Sequence, residues 1–164
     1  MVNSIAIIGS FRQHNEIIQS LCAKIRRTGI AVNSPQGIDV IQSGVDFVRF
    51  HADNPDWSDA TVQSLALHRI LRSDLVYAVL PDGYIGRTTC YEVGRVIQAS
   101  RPIYFSNQPK DLPLHVPDSF VMDEAILLKN LMNPSWQPDW IYSKDKGQTS
   151  DLERELIKGV LRNE

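Results

Sequence analysis

The residues of this 164-residue chain best suited to chemistry lie in one stretch, Asp82-Gly-Tyr-Ile-Gly-Arg-Thr-Thr-Cys-Tyr-Glu92. Gly83 and Gly86 bracket Tyr84, the pattern of a tight loop that offers a ring to a ligand. Thr88 and Thr89 precede a helix start. With Thr89 as N-cap, Glu92 falls at the third helical position, and its side chain bonds back to the helix start as in a capping box. The same position suits catalysis. A helix N-terminus favours an ionised carboxylate, and an ionised carboxylate is what attacks a sugar carbon as a nucleophile. The spacing leaves both readings open, and capping is the more ordinary of the two.

A second candidate is Gly9-Ser10-Phe11-Arg12. Glycine and serine between a strand and a helix present backbone N–H groups to an anion, and Arg12 adds a charged fork suited to phosphate or carboxylate. The plainer alternative is a glycine turn followed by an N-capping serine. The dinucleotide fingerprint Gly-x-Gly-x-x-Gly is absent. A third loop holds His51, Asp53, Asp56 and Trp57. Its acids could serve acid–base work, although such loops more often stay solvated and cap the next helix. His68 stands on that following helix, where a lone histidine is usually a surface residue. Cys90 with His68 lacks the third, orienting group of a thiol nucleophile.

These loops need elements to position them. Residues 5–8 are a continuous apolar run ending at Gly9, which suits a strand buried on both faces. Residues 14–27 carry Ile17, Ile18, Leu21, Cys22 and Ile25 at helical spacing. Residues 30–34 and 45–50 read as short strands, and His51–Ser58 as a polar loop. Residues 59–72 form a helix, 75–80 the clearest strand, and Thr89 to Ala99 a helix. A strand at 102–105, a short strand at 119–122 and a helix at 124–132 follow. Ser150-Asp-Leu-Glu153 reads as a capping box opening a last helix.

Strands alternating with helices predict right-handed βαβ units. The predicted fold is a single doubly wound, mostly parallel α/β sheet of flavodoxin or Rossmann type. Ligands bind such sheets outside the carboxyl ends of the strands. That rule selects the loops Gly9–His14, His51–Ser58 and Pro81–Thr89.

Composition narrows the classes. The chain is 43% hydrophobic and 22% charged, with net charge −2. This fits one globular domain and argues against a nucleic-acid polymer as partner, which calls for a basic surface. No apolar run approaches the roughly 18 residues of a membrane span, and the first residues read as a strand, not as a signal peptide. Cys22 and Cys90 stand far apart and out of metal-ligand spacing. The expectation is a cytoplasmic protein with free thiols, no metal and no cofactor.

Taken together, Gly9-Ser-Phe-Arg12, Ser73-Asp-Leu-Val-Tyr77, Gly83-Tyr-Ile-Gly-Arg-Thr-Thr89, Tyr91-Glu-Val-Gly-Arg95 and Arg101-Pro-Ile-Tyr104 resemble the nucleoside 2-deoxyribosyltransferase superfamily, including its nucleotide N-glycoside hydrolases. The resemblance covers residues 4–106 and leaves 107–164 as an extension. It implies cleavage or transfer at the N-glycosidic bond of a nucleoside or nucleoside 5′-monophosphate. Glu92 would be the nucleophile. Ser10 and Arg12 would hold the phosphate, with Gly9, Phe11, Asp82, Gly83, Tyr84, Gly86, Thr88 and Thr89 as further substrate contacts. Two positions depart from the family: Ala6 stands where it has a tyrosine and Ala66 where it has an aspartate. His68, Asp53 or another group would then take over the aspartate's part, or the chain would bind nucleotides without reacting. A weaker alternative is hydrolysis of an NAD-like N-glycosidic bond, which needs a larger pocket. The resemblance also implies a homodimer or larger assembly, and Trp136, Trp140 and Tyr142 in the segment 107–149 are candidates for its interface. The alternative is that these aromatics pack within their own domain.

Overall fold

The computed structural model describes residues 1–37, 49–143 and 147–163. Its strands are β1 (Ser4–Gly9), β2 (Ala31–Ser34), β3 (Leu75–Val79) and β4 (Ile103–Phe105). Among the described residues they form one parallel sheet in the order β2-β1-β3-β4. The helices are α1 (Phe11–Arg27), α2 (Asp59–Leu71), α3 (Arg87–Gln98), α4 (Glu124–Leu131) and α5 (Gln148–Ile157). This is the predicted α/β class. The predicted strand at 45–50 falls, except for its last two residues, outside the described residues.

The central strands are apolar on both faces because both faces are covered. Ile5, Ile7 and Ile8 of β1 and every residue of β3 are buried. Right-handed crossovers with this strand order send α1 to one face and α2 and α3 to the other. In agreement, α2 packs against α3, while Lys24 of α1 pairs with Glu124 of α4 at 2.5 Å. The amino ends of β1 and β3 are tied by Asp74, whose Oδ2 accepts from the N–H groups of Asn3 and Ser4, each at 2.9 Å.

Several boundaries differ from the sequence reading. Helix α1 begins at Phe11, three residues early, because the Ser10 carbonyl already accepts from the His14 N–H at 2.8 Å. Helix α3 begins at Arg87 with Gly86 as N-cap, and the Cys90 N–H donates to the Gly86 carbonyl at 2.9 Å. Thr89 is therefore inside the helix. The capping box at Ser150 is not formed: the N-cap of α5 is Gly147, and Ser150 is buried in the first turn. The predicted strand at 119–122 contracts to a 3₁₀ turn, Asp118–Phe120, and one bridge between Val121 and Phe105. Pro117 opens that turn and its carbonyl accepts from the Phe120 N–H at 2.9 Å, so the chain curls before it can extend.

The aromatics of the C-terminal third pack inward. Tyr142 is fully buried, Trp140 meets it edge-on with centroids 5.6 Å apart, and Trp136 lies 5.6 Å from Tyr104 of β4. They complete their own core, so they supply no argument for an interface. Among the described residues no helix is long and apolar enough to cross a membrane.

Candidate active site

Strand β1 leads into α1 on one face, and its neighbour β3 leads into α3 on the other. The carboxyl ends of these two strands are the switch point of the sheet, where the diverging connections leave a crevice. A cavity of about 420 Å³ lies there, within the roughly 300–1,000 Å³ usual for ligand sites. The β1–α1 turn contributes Gly9, Ser10, Phe11 and Arg12 to its wall. The β3–α3 connection contributes Tyr84, Gly86, Thr88, Thr89 and Glu92. Two of the three loops chosen from the sequence thus meet in one place, and the third, His51–Ser58, contributes none of its residues to the cavity.

Two helix N-termini open onto this cavity, and neither is closed by its own sequence. Gly86 has no side chain to cap α3, the Ser10 side chain makes no cap hydrogen bond, and neither first turn contains an acid. Helices α2 and α4 are capped by their own sequence. Ser58 accepts from the Thr61 N–H on α2 and Asp123 from the Ile126 N–H on α4, each followed by an acid in the first turn. A helix start with no cap from its N-cap side chain and no acid in its first turn, at the positive end of the helix dipole, suits an anion. Arg12 and Arg87 line the same cavity. The sequence reading of Ser10 as a capping serine is therefore not what forms.

Glu92 sits six residues beyond Gly86, in the second turn of α3. It is too far along to close a capping box, so the structural explanation available from spacing does not apply. Its side chain is turned inward and only 8% of the residue is exposed. Burial raises its carboxyl to about 7, against which a hydrogen bond from Gln63 Nε2 to Glu92 Oε1, 3.2 Å long, acts in the opposite sense. The helix dipole, expected to hold the carboxylate ionised, fades beyond the first turn, and desolvation prevails. Glu92 is thus a carboxyl poised to gain or lose a proton near neutrality inside a ligand-sized cavity.

Four of the candidate residues stand elsewhere. His68 is exposed in the last turn of α2. Ala66, two residues earlier, lines the cavity, and two residues on a helix point about 200° apart, so His68 faces away. Asp53 closes a local turn, accepting from the Phe50 N–H at 2.8 Å while its own N–H donates to the Phe50 carbonyl. Asp82 is exposed in a 3₁₀ turn, Pro81–Gly83. Gly83 is buried against the chain beyond β4, where a Cβ would come 2.5 Å from the Gln108 carbonyl oxygen. Asp82 and Gly83 shape the loop without lining the cavity.

The sequence reading missed Gln63, Phe50, Ser34 and Pro35, all of which line the cavity. Phe50, the residue before the His51–Ser58 loop, supplies a ring that meets Phe11 edge-on, centroids 5.4 Å apart, while none of that loop's own residues lines the cavity. Gln63 did leave a signal. It shares a helix stripe with Leu67 and Ile70 at i+4 and i+7, both buried, and a polar residue within an apolar stripe is the informative exception. Among the described residues no group of three or more His, Cys, Asp or Glu side chains is arranged to hold a metal ion.

No model of a protein family matches the chain, and no curated protein does. Among solved structures the chain is similar to a conserved protein from Enterococcus faecalis V583, with 19% sequence identity over 98% of this chain and 100% of that one and a TM-score of 0.48.

Proposed function

We propose that this chain cleaves or transfers at the N-glycosidic bond of a nucleoside or nucleoside 5′-monophosphate, with Glu92 as nucleophile. The observation that carries the reading is a buried glutamate with a carboxyl near neutrality, set in a cavity whose other wall is an uncapped helix start with Arg12. The resemblance of residues 4–106 to deoxyribosyltransferases and N-glycoside hydrolases supports the same assignment. A Glu92 carboxylate oxygen attacks the anomeric carbon. The C–N bond breaks, its electron pair leaves with the base, and a glycosyl ester forms. Water or a second base then attacks the same carbon and releases the carboxylate. The sugar is cationic in the transition state, which an adjacent anion stabilises. Arg12 and the first N–H groups of α1 would hold the 5′-phosphate. The cavity volume of about 420 Å³ favours a mononucleotide over an NAD-like dinucleotide.

One observation favours a second reading, a domain that binds nucleotides without reacting. Ala66 presents a methyl group to the cavity, and among the described lining residues Glu92 is the one carboxyl. No second carboxylic acid among the described lining residues stands ready to protonate the departing base. Incubation with a mixture of nucleosides and nucleoside monophosphates separates the two readings. The enzyme reading expects free base from the wild type, none from Glu92→Gln, and a glycosyl adduct on Glu92 by intact mass. Nucleotide binding with no base released at any pH would replace it with the binding domain.

A further inference from the structure

We propose that Gln63 is a positioning residue that acts through Glu92, fixing the direction of its carboxyl in the cavity and stabilising its negative charge. The proposal rests on the nucleophile reading of Glu92, and it names a residue to which that scheme gives no part. Gln63 and Glu92 are 29 positions apart on α2 and α3, two helices that pack together over the same face of the sheet. Both side chains line the cavity.

A carboxylate withdrawn from water needs donors in place of the water it has lost. Among the described residues the donor Glu92 receives is Gln63 Nε2, at 3.2 Å. The other end of that amide makes the orientation telling. Gln63 Oε1 is buried and has no hydrogen-bond partner among the described residues, a costly condition for an acceptor. The amide therefore turns its nitrogen toward Glu92 at the expense of its own oxygen. Among the described residues the other charged side chains that line the cavity are Arg12 on α1 and Arg87 on α3, while α2 presents the neutral Gln63 and Ala66. Neither guanidinium is among the causes that move the Glu92 carboxyl, which are burial, raising it, and Gln63, lowering it.

The test reads the carboxyl directly and without substrate, by ¹³C NMR titration of Glu92, its resonance assigned by its loss in Glu92→Gln. The wild type should titrate with a midpoint of about 7. Gln63→Met keeps the length of the side chain and removes the donor, and should raise that midpoint by one pH unit or more, a tenfold change in proton affinity. An unchanged midpoint in a folded Gln63→Met protein overturns the proposal. A second measurement needs no variant at this position. In the wild type the Gln63 side-chain amide resonances should shift with the Glu92 midpoint, and that shift should vanish in Glu92→Gln. Amide resonances indifferent to the Glu92 titration overturn the proposal as well. Absence of base release from the wild type would remove the nucleophile reading, and the midpoint would still decide what Gln63 does to Glu92.

Discussion

Gly9 and Val79 are register partners at the carboxyl ends of β1 and β3, so close that a Cβ on Gly9 would stand 2.7 Å from the Val79 carbonyl oxygen. Gly9 also leaves the strand with φ +155°, a conformation that side chains disfavour. The turn that opens the cavity thus depends on the absence of a side chain.

Gly9→Ala should force the two strand ends apart at the switch point. Strain of this kind costs about 1–3 kcal/mol, and because Gly9 lines the cavity the displacement reaches the ligand wall. The denaturation midpoint should fall and nucleotide binding should weaken together. An alanine variant with both properties intact would show that the turn relaxes without disturbing the site.

Glu92→Gln should change stability in a pH-dependent direction. The wild-type carboxyl is raised from 4.5 to about 7 on burial, so folding favours the protonated form. Its stabilising contribution is full below the lower value and is lost as pH rises through the upper one. The loss is about 3 kcal/mol across that window. The glutamine variant does not titrate there, so it should overtake the wild type above pH 7 by about that amount and match it in acid. Chemical denaturation at acid, neutral and alkaline pH measures both curves.

Arg12→Ala should weaken nucleoside monophosphates and leave nucleosides nearly untouched. A charge-assisted hydrogen bond at an exposed site is worth about tenfold in affinity, and Arg12 is exposed at the cavity wall. Calorimetric titration with a matched nucleoside and nucleotide reads the difference. Equal losses for both ligands would remove the phosphate from this position and turn the reading toward nucleoside transfer.

Asp74→Asn should make the fold less dependent on pH in the acid range. Burial pushes the Asp74 carboxyl up, but hydrogen bonds from Asn3 and Ser4, with the charge of Arg101, outweigh it and hold the carboxyl below its ordinary 3.8. The stability it confers is present above that value and is lost as pH falls through the depressed one. The group is largely open to solvent, so the loss at neutral pH should stay near 1 kcal/mol and shrink toward zero in strong acid. Denaturation of both proteins across that range checks the sign.

The sequence alone was enough to place β1 and β3, because continuous apolar runs at 5–8 and 75–80 have few alternatives to a strand covered on both faces. From that followed the parallel sheet, the carboxyl end at which the cavity lies, and three candidate loops, of which two line it. The same local pattern could not tell whether Glu92 caps a helix or faces a cavity. That depended on the helix starting at Arg87 and not Thr89, a difference decided by where the chain leaves β3. Nor could spacing separate Ala66, which lines the cavity, from His68, which points to solvent. Trp136, Trp140 and Tyr142 read equally well as core or interface until their packing partners were known. Gln63 and Glu92 meet across 29 positions, and the proton equilibrium of Glu92 follows from its burial. Periodicity along a chain reports which residues share a face. Which faces meet, and how much water remains between them, is decided only when the sheet has brought its two diverging connections together.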